Sequence, residues 1–256
     1  MLDFTEKDRR CYGNDQKSQT NRLKMDEKEF KSLIFIAGMD KFYNTMNSLC
    51  IDANSKFGSS NFRFLNGVSL IFGNKIQEGI RELNSLTNDN DVGIGSILAL
   101  IYGHKKCTMV DKEVVGNLEA KIKEERKRVT ANGAYNAAVF LFFCGKYEKS
   151  KEYAEKTIKL HADHCDSLIL KAFCLLMMGQ RSKNVLELFE KASNYSESID
   201  AILGQVRYHQ ENNDFEKAIS ILNKLSVRYS HLSLPLAEKM KVKMFEKSLK
   251  KKLINK

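Results

Sequence analysis

The chain has 256 residues, enough for one large domain or a short solenoid, and its single proline, lack of tryptophan and abundance of Lys, Glu, Leu and Ile favour an all-helical fold. No apolar run reaches the roughly 18 residues that a membrane helix needs, and the polar N-terminus MLDFTEKDRRCYGNDQKSQTNRLK shows no signal-peptide pattern. The net charge of +10 invites a nucleic-acid reading, but +6 of it falls between Ala237 and Lys256, so the body of the chain is nearly neutral.

Residues 1–25 are polar, mixed in charge and without period, and are expected to be disordered. An apolar pattern begins at Asp26, with Phe30, Leu33, Ile34 and Ile36, a break at Gly38-Met39-Asp40, and a second helix carrying Phe42, Met46, Leu49, Cys50 and Ala53 up to Gly58. A second hairpin runs over 61–88 and turns at Gly73-Asn74. A third begins near Asp91, and its charged partner helix, from Lys112 to about Thr130, reads as unusually long. The run KIKEERKR at 121–128 reads first as a solvated face.

The fourth hairpin, Ala134 to Leu160, breaks at Cys144-Gly145-Lys146 and sets small residues Ala134, Ala137 and Ala138 beside Phe140, Phe142 and Phe143. A fifth spans 165–193 with a turn at Gly179-Gln180, and a sixth spans 199–229 with a turn near Asn212-Asn213. Small residues at helix contacts fall at Gly67, Ala99, Ala138, Ala172 and Val206 (or Gly204), close to the period of about 34 that marks tetratricopeptide repeats. The expected fold is therefore all-α: a right-handed solenoid of about six helical hairpins over 26–233, with an amphipathic basic helix at 234–256 as an unpaired last repeat.

Catalytic patterns are missing. The glycines are isolated, and no GxSxG, HExxH or matched Cys/His pair occurs. The run His161-Ala-Asp-His164-Cys165 has metal-ligand residue types but too few of them to close a shell, so no metal or cofactor is expected. The six cysteines lack CxxC spacing and read as reduced, mostly core thiols.

What a stack of hairpins offers is a concave groove lined by the first helix of each unit. Its expected wall is Tyr135, Val139 and Phe142, then Ile169, Phe173 and Leu176, then Arg207 and Gln210. Such residues serve either to hold neighbouring helices or to take a partner's helix or extended peptide. Chaperone-binding repeats grip acidic peptide termini with Lys and Asn where this chain has Tyr135 and Val139, which argues against a chaperone adaptor. The tail, with Met240, Met244 and Phe245 among lysines, reads either as a cap on the last repeat or as a binder of nucleic acid or anionic membrane.

Five stretches carry a more specific likeness: Phe62-Arg63-Phe64, SILALIYGHK at 96–105, Glu124-Glu125-Arg126-Lys127, Tyr135 through Tyr153, and Leu203-Gly204. In that order and spacing the chain resembles the N-terminal part of the tetratricopeptide repeat protein 21 family, the large all-repeat subunit of intraflagellar transport complex A. The resemblance implies a scaffold without cofactor that acts in retrograde ciliary transport, cilium assembly and protein localisation to cilia. It would reside in the cytoplasm and at the ciliary base and axoneme, with other complex A subunits as partners. Family members continue through many more repeats, so contacts made by those later repeats are expected to be absent here.

Overall fold

The computed structural model describes residues 25–195, 198–230, 232, 238, 242 and 243. Residues 1–24 and most of 234–256, where a disordered arm and a basic helix are expected, lie outside the described residues. Among the described residues there are twelve α-helices, one 3-10 turn and no strand. They pair in chain order as α1 (Glu27–Met39) with α2 (Tyr43–Phe57), α3 (Ser60–Phe72) with α4 (Ile76–Asn84), and α5 (Gly93–Lys106) with α6 (Lys112–Glu125). The 3-10 turn Arg126–Arg128 follows, then α7 (Ala131–Phe143) with α8 (Tyr147–Leu160), α9 (Cys165–Met177) with α10 (Lys183–Tyr195), and α11 (Ile199–Glu211) with α12 (Phe215–Arg228).

Five of the six hairpins turn in one way. The first helix ends at a residue with positive φ: Lys41 (62°), Asn74 (66°), Gly145 (73°), Gly179 (80°) and Asn213 (61°). In each, that residue and the next donate backward to helix carbonyls; Gly145 N donates to Phe142 O at 2.9 Å and Lys146 N to Leu141 O at 2.9 Å. This pair of hydrogen bonds satisfies carbonyls that a helix end otherwise leaves open. The first break thus falls at Asp40-Lys41, and Gly38 remains inside α1.

The third hairpin departs from the rule. A five-residue connection, Cys107 to Asp111, replaces the tight turn, and α6 has 14 residues, the same length as α8 and α12. The expectation of a long helix up to Thr130 is therefore corrected. The extra residues sit in the connection and in the turn after Glu125, where Val129 becomes extended and Thr130 caps α7 by accepting from Gly133 N at 2.9 Å.

Most junctions stack the second helix of one hairpin on the first helix of the next: α2 on α3, α4 on α5, α8 on α9, α10 on α11. Small residues set the approach. Within the second hairpin a Cβ added at Gly67 would lie 2.6 Å from Leu83, and at the junction of α10 with α11 one at Gly204 would overlap the Phe189 ring. At the third junction α5 packs directly on α7, and α6 is left on the outside.

The chain also closes on itself. Helix α1 packs against α11 as well as α2, and Ile36 joins one buried cluster with Leu203, Val206, Leu222 and Val242. Seven of the thirteen residues of α1 are buried, on more than one face: Phe30, Ser32, Ile34, Phe35, Ile36, Ala37 and Gly38. An amphipathic surface helix buries one stripe, whereas one apolar around most of its girth is enclosed.

Candidate functional site

The residues expected on the inner wall lie on α7, α9 and α11, which contact one another in sequence, and α1 packs against these helices. Phe35 sits at the centre, its ring 5.5 Å from that of Phe142, 5.9 Å from Phe143 and 5.6 Å from Phe173. A Cβ at Gly38 would come within 2.6 Å of the Phe143 ring, so the bare glycine is what allows α1 to lie this close. At the two ends of the contact, Ser32 donates to Asp200 at 3.0 Å and Arg207 pairs with Asp40 at 2.8 Å.

Each wall residue has a definite place. Val139, Phe142, Ile169 and Phe173 are buried, at no more than 3% exposure. Leu176, Arg207 and Gln210 are half-buried, and Arg207 also donates to Met39 Sδ at 3.2 Å. Tyr135 is half-buried with its ring 5.0 Å from His164. Periodicity does not report that α1 lies against Phe142 and Phe173. The contiguous run Leu33-Ile34-Phe35-Ile36-Ala37 was the available signal for an enclosed α1.

Beside Phe35 a cavity of about 250 Å³ remains, lined among others by Lys31, Tyr135, Asn136, His164 and Asp166. Asn136 ties its floor together: it donates to the Asp91 carbonyl at 2.8 Å and accepts from Asn61 at 3.3 Å. His164 is the helix cap of α9, its Nδ1 accepting from Ser167 N at 3.2 Å. Burial lowers its pKa, with the Asp166 charge opposing that shift. Among the described residues no three His, Cys, Asp or Glu side chains gather to hold a metal ion.

Burial is also the first cause of the shifts at Asp200, Tyr135, Cys144 and Cys174. It pushes Asp200 up to about 7, the nearby Asp166 charge adding to the effect while the Ser32 hydrogen bond opposes it. Tyr135 is held well above its ordinary range, first by burial and then by Asp166 and Asp200. The Cys144 thiol is raised to about 12 and the Cys174 thiol to about 11, again by burial. Thiols held in that state have little thiolate for nucleophilic chemistry.

The described residues contain no helix long and apolar enough to cross a membrane. The tail supplies Val242 to the cluster on α12, fully buried there.

Comparison with known proteins places this geometry in a family. Residues 37–251 match the model of the tetratricopeptide repeat protein 21 N-terminal ARM repeat. Human tetratricopeptide repeat protein 21B is 27% identical over 223 residues, which is 86% of this chain and 17% of that protein. Human protein 21A is 24% identical over 212 residues, 82% of this chain and 16% of its own length. The Caenorhabditis elegans homologue is 28% identical over 186 residues, 72% and 14%. The chain therefore spans about a sixth of the length of these relatives. Among solved structures, the TPR2AB domain:pHSP90 complex of yeast Sti1 aligns with a TM-score of 0.40 at 10% identity, covering 89% of this chain and 96% of that one. A thermophilic TPR protein of Thermus thermophilus aligns with a TM-score of 0.38 at 14% identity, covering 70% and 96%. With most of its length matched by the repeat model, this chain belongs to the tetratricopeptide repeat protein 21 family.

Proposed function

We propose that this chain is a protein-interaction scaffold of intraflagellar transport complex A, acting in retrograde transport and in bringing proteins to cilia. The observation that carries the reading is membership of the family over residues 37–251, in a chain built as stacked helical hairpins. Its partners are other complex A subunits, bound by protein surface alone, at the ciliary base and along the axoneme.

Affinity purification of the tagged chain from ciliated cells tests this. Co-purification of complex A subunits is expected, and recovery of none of them overturns the assignment.

A second reading, a freestanding adaptor that takes a peptide in the groove, is favoured by the cavity beside Tyr135. In that reading Tyr135 and Val139, which line that cavity, meet the peptide, Phe142, Phe173 and Arg207 hold α1, and Ile169, Leu176 and Gln210 complete the wall. Loss of peptide binding in Tyr135→Ala with helicity unchanged is the expected result.

A further inference from the structure

The displacement of α6 leaves a second concave feature on the outside of the molecule. Because α5, not α6, packs on α7, the end of α6 and its 3-10 turn stand away from α8. A notch of about 330 Å³ opens there, lined by Arg126, Lys149, Glu152, Tyr153 and Lys156. Tyr153 forms its floor, half-buried against the small cluster of Ile94, Ile97, Ile122 and Ala137. The Arg126 guanidinium lies 5.9 Å from the Tyr153 ring, and Lys156 Nζ is drawn in by the Arg126 carbonyl at 3.3 Å.

Some cations elsewhere on the surface are held in ion pairs. Lys105, Lys127, Lys151, Arg181 and Lys217 each reach a carboxylate, on Glu119, Glu124, Glu148, Glu211 and Asp214. Among the described residues no ion pair is found for Arg126, Lys149 or Lys156, although Glu152 lines the same notch. Three cations converging on one small concavity repel each other, and that repulsion is relieved when an anion enters.

We propose that this notch is a docking site for an acidic segment of a partner protein, whose carboxylates sit against Arg126, Lys149 and Lys156 and whose apolar residue lies on Tyr153. The proposal rests on the scaffold reading above and names a partner chemistry for it. The shape selects the class of ligand. A flat bilayer cannot enter a concavity this size, whereas a few peptide side chains fill it. A single-stranded nucleic acid needs a basic track with successive aromatic platforms, and here one tyrosine and one acid line the pocket.

The test measures binding of the purified full chain to a fluorescein-labelled oligoglutamate peptide with a central leucine, with the oligoglutamine peptide as neutral control. Arg126→Gln, Lys149→Gln and Lys156→Gln combined should weaken binding about tenfold and flatten its salt dependence. The same loss of charge at paired positions, Lys105→Gln, Arg181→Gln and Lys217→Gln, should leave it within about twofold. Glu152→Gln removes the one repelling carboxylate and should strengthen binding, a gain that no folding defect produces. Equal weakening by the two triple variants, or no gain from Glu152→Gln, overturns the proposal. So does notch-dependent binding to phosphatidylserine vesicles or to single-stranded RNA with none to the peptide. Failed recovery of complex A subunits with peptide binding intact would instead sink the ciliary assignment alone.

Discussion

Lys41 shows what the repeat asks of single residues. It occupies the left-handed position that glycine fills at Gly145 and Gly179, with φ at 62°, and its side chain is exposed there. A β-carbon in this conformation costs roughly 1–2 kcal/mol, partly offset in a glycine variant by the greater freedom of the unfolded chain. Lys41→Gly should therefore stabilise the protein by about 0.5–1 kcal/mol, read as a raised denaturation midpoint with an unchanged slope. Asp200 has the opposite kind of demand, imposed by burial. Its folded pKa of about 7 lies above the ordinary aspartate value, so between the two the folded state holds a proton that the unfolded chain has lost. Its contribution is full below the unfolded pKa and is lost as pH rises through about 7. From pH 7 to pH 8 stability should fall by about 0.4 kcal/mol on this account, most of the loss having come between the two pKa values, a window above the range where the lowered His164 and His209 titrate. Urea titrations at the two pH values should show the fall in the wild type, and Asp200→Asn should abolish it. An unchanged slope in the variant would mean that another group is responsible.

At the scale of the element, the hairpins are readable because a buried helix must repeat its apolar residues every three or four positions and a hairpin must end its first helix at a permissive residue. Ala138 illustrates the first requirement. It is fully buried, and its carbonyl accepts from Ser150 of the partner helix at 2.8 Å. Ala138→Leu should overpack that contact and cost about 1–3 kcal/mol, seen as a lowered Tm with helicity retained below the transition. Helix α6 was not readable in the same way. Lys, Glu and Arg are all good helix formers, so KIKEERKR looked like one uninterrupted helix up to Thr130. What ends it at Glu125 is tertiary: Val129 must reach the Ile122–Tyr153 cluster and Thr130 must cap α7. Nor does a charged run report that three of the cations near its end converge on a notch, since Lys149 and Lys156 come from a different helix.

At the scale of the whole molecule, the contact of α1 with α7, α9 and α11 changes how the stack holds together. In an open solenoid each repeat touches only its neighbours, stability is a sum of local terms, and damage at one end stays near that end. Here the first helix supports the fourth, fifth and sixth hairpins directly, through Phe35, Ile36, Ser32 and Asp40. Phe35 is the residue on which the difference can be decided, because its ring meets three aromatic rings from α7 and α9 at centroid distances under 6 Å. Phe35→Ala should cost about 3–5 kcal/mol. An open stack would show that loss as faster amide exchange in α1, α2 and α3 only. The closed arrangement requires α7, α9 and α11 to lose protection as well, although more than 100 residues separate Phe35 from the latter two helices. Hydrogen exchange resolved by peptide separates the outcomes, and unchanged protection across α9 and α11 would mean that the closing contact holds nothing in place.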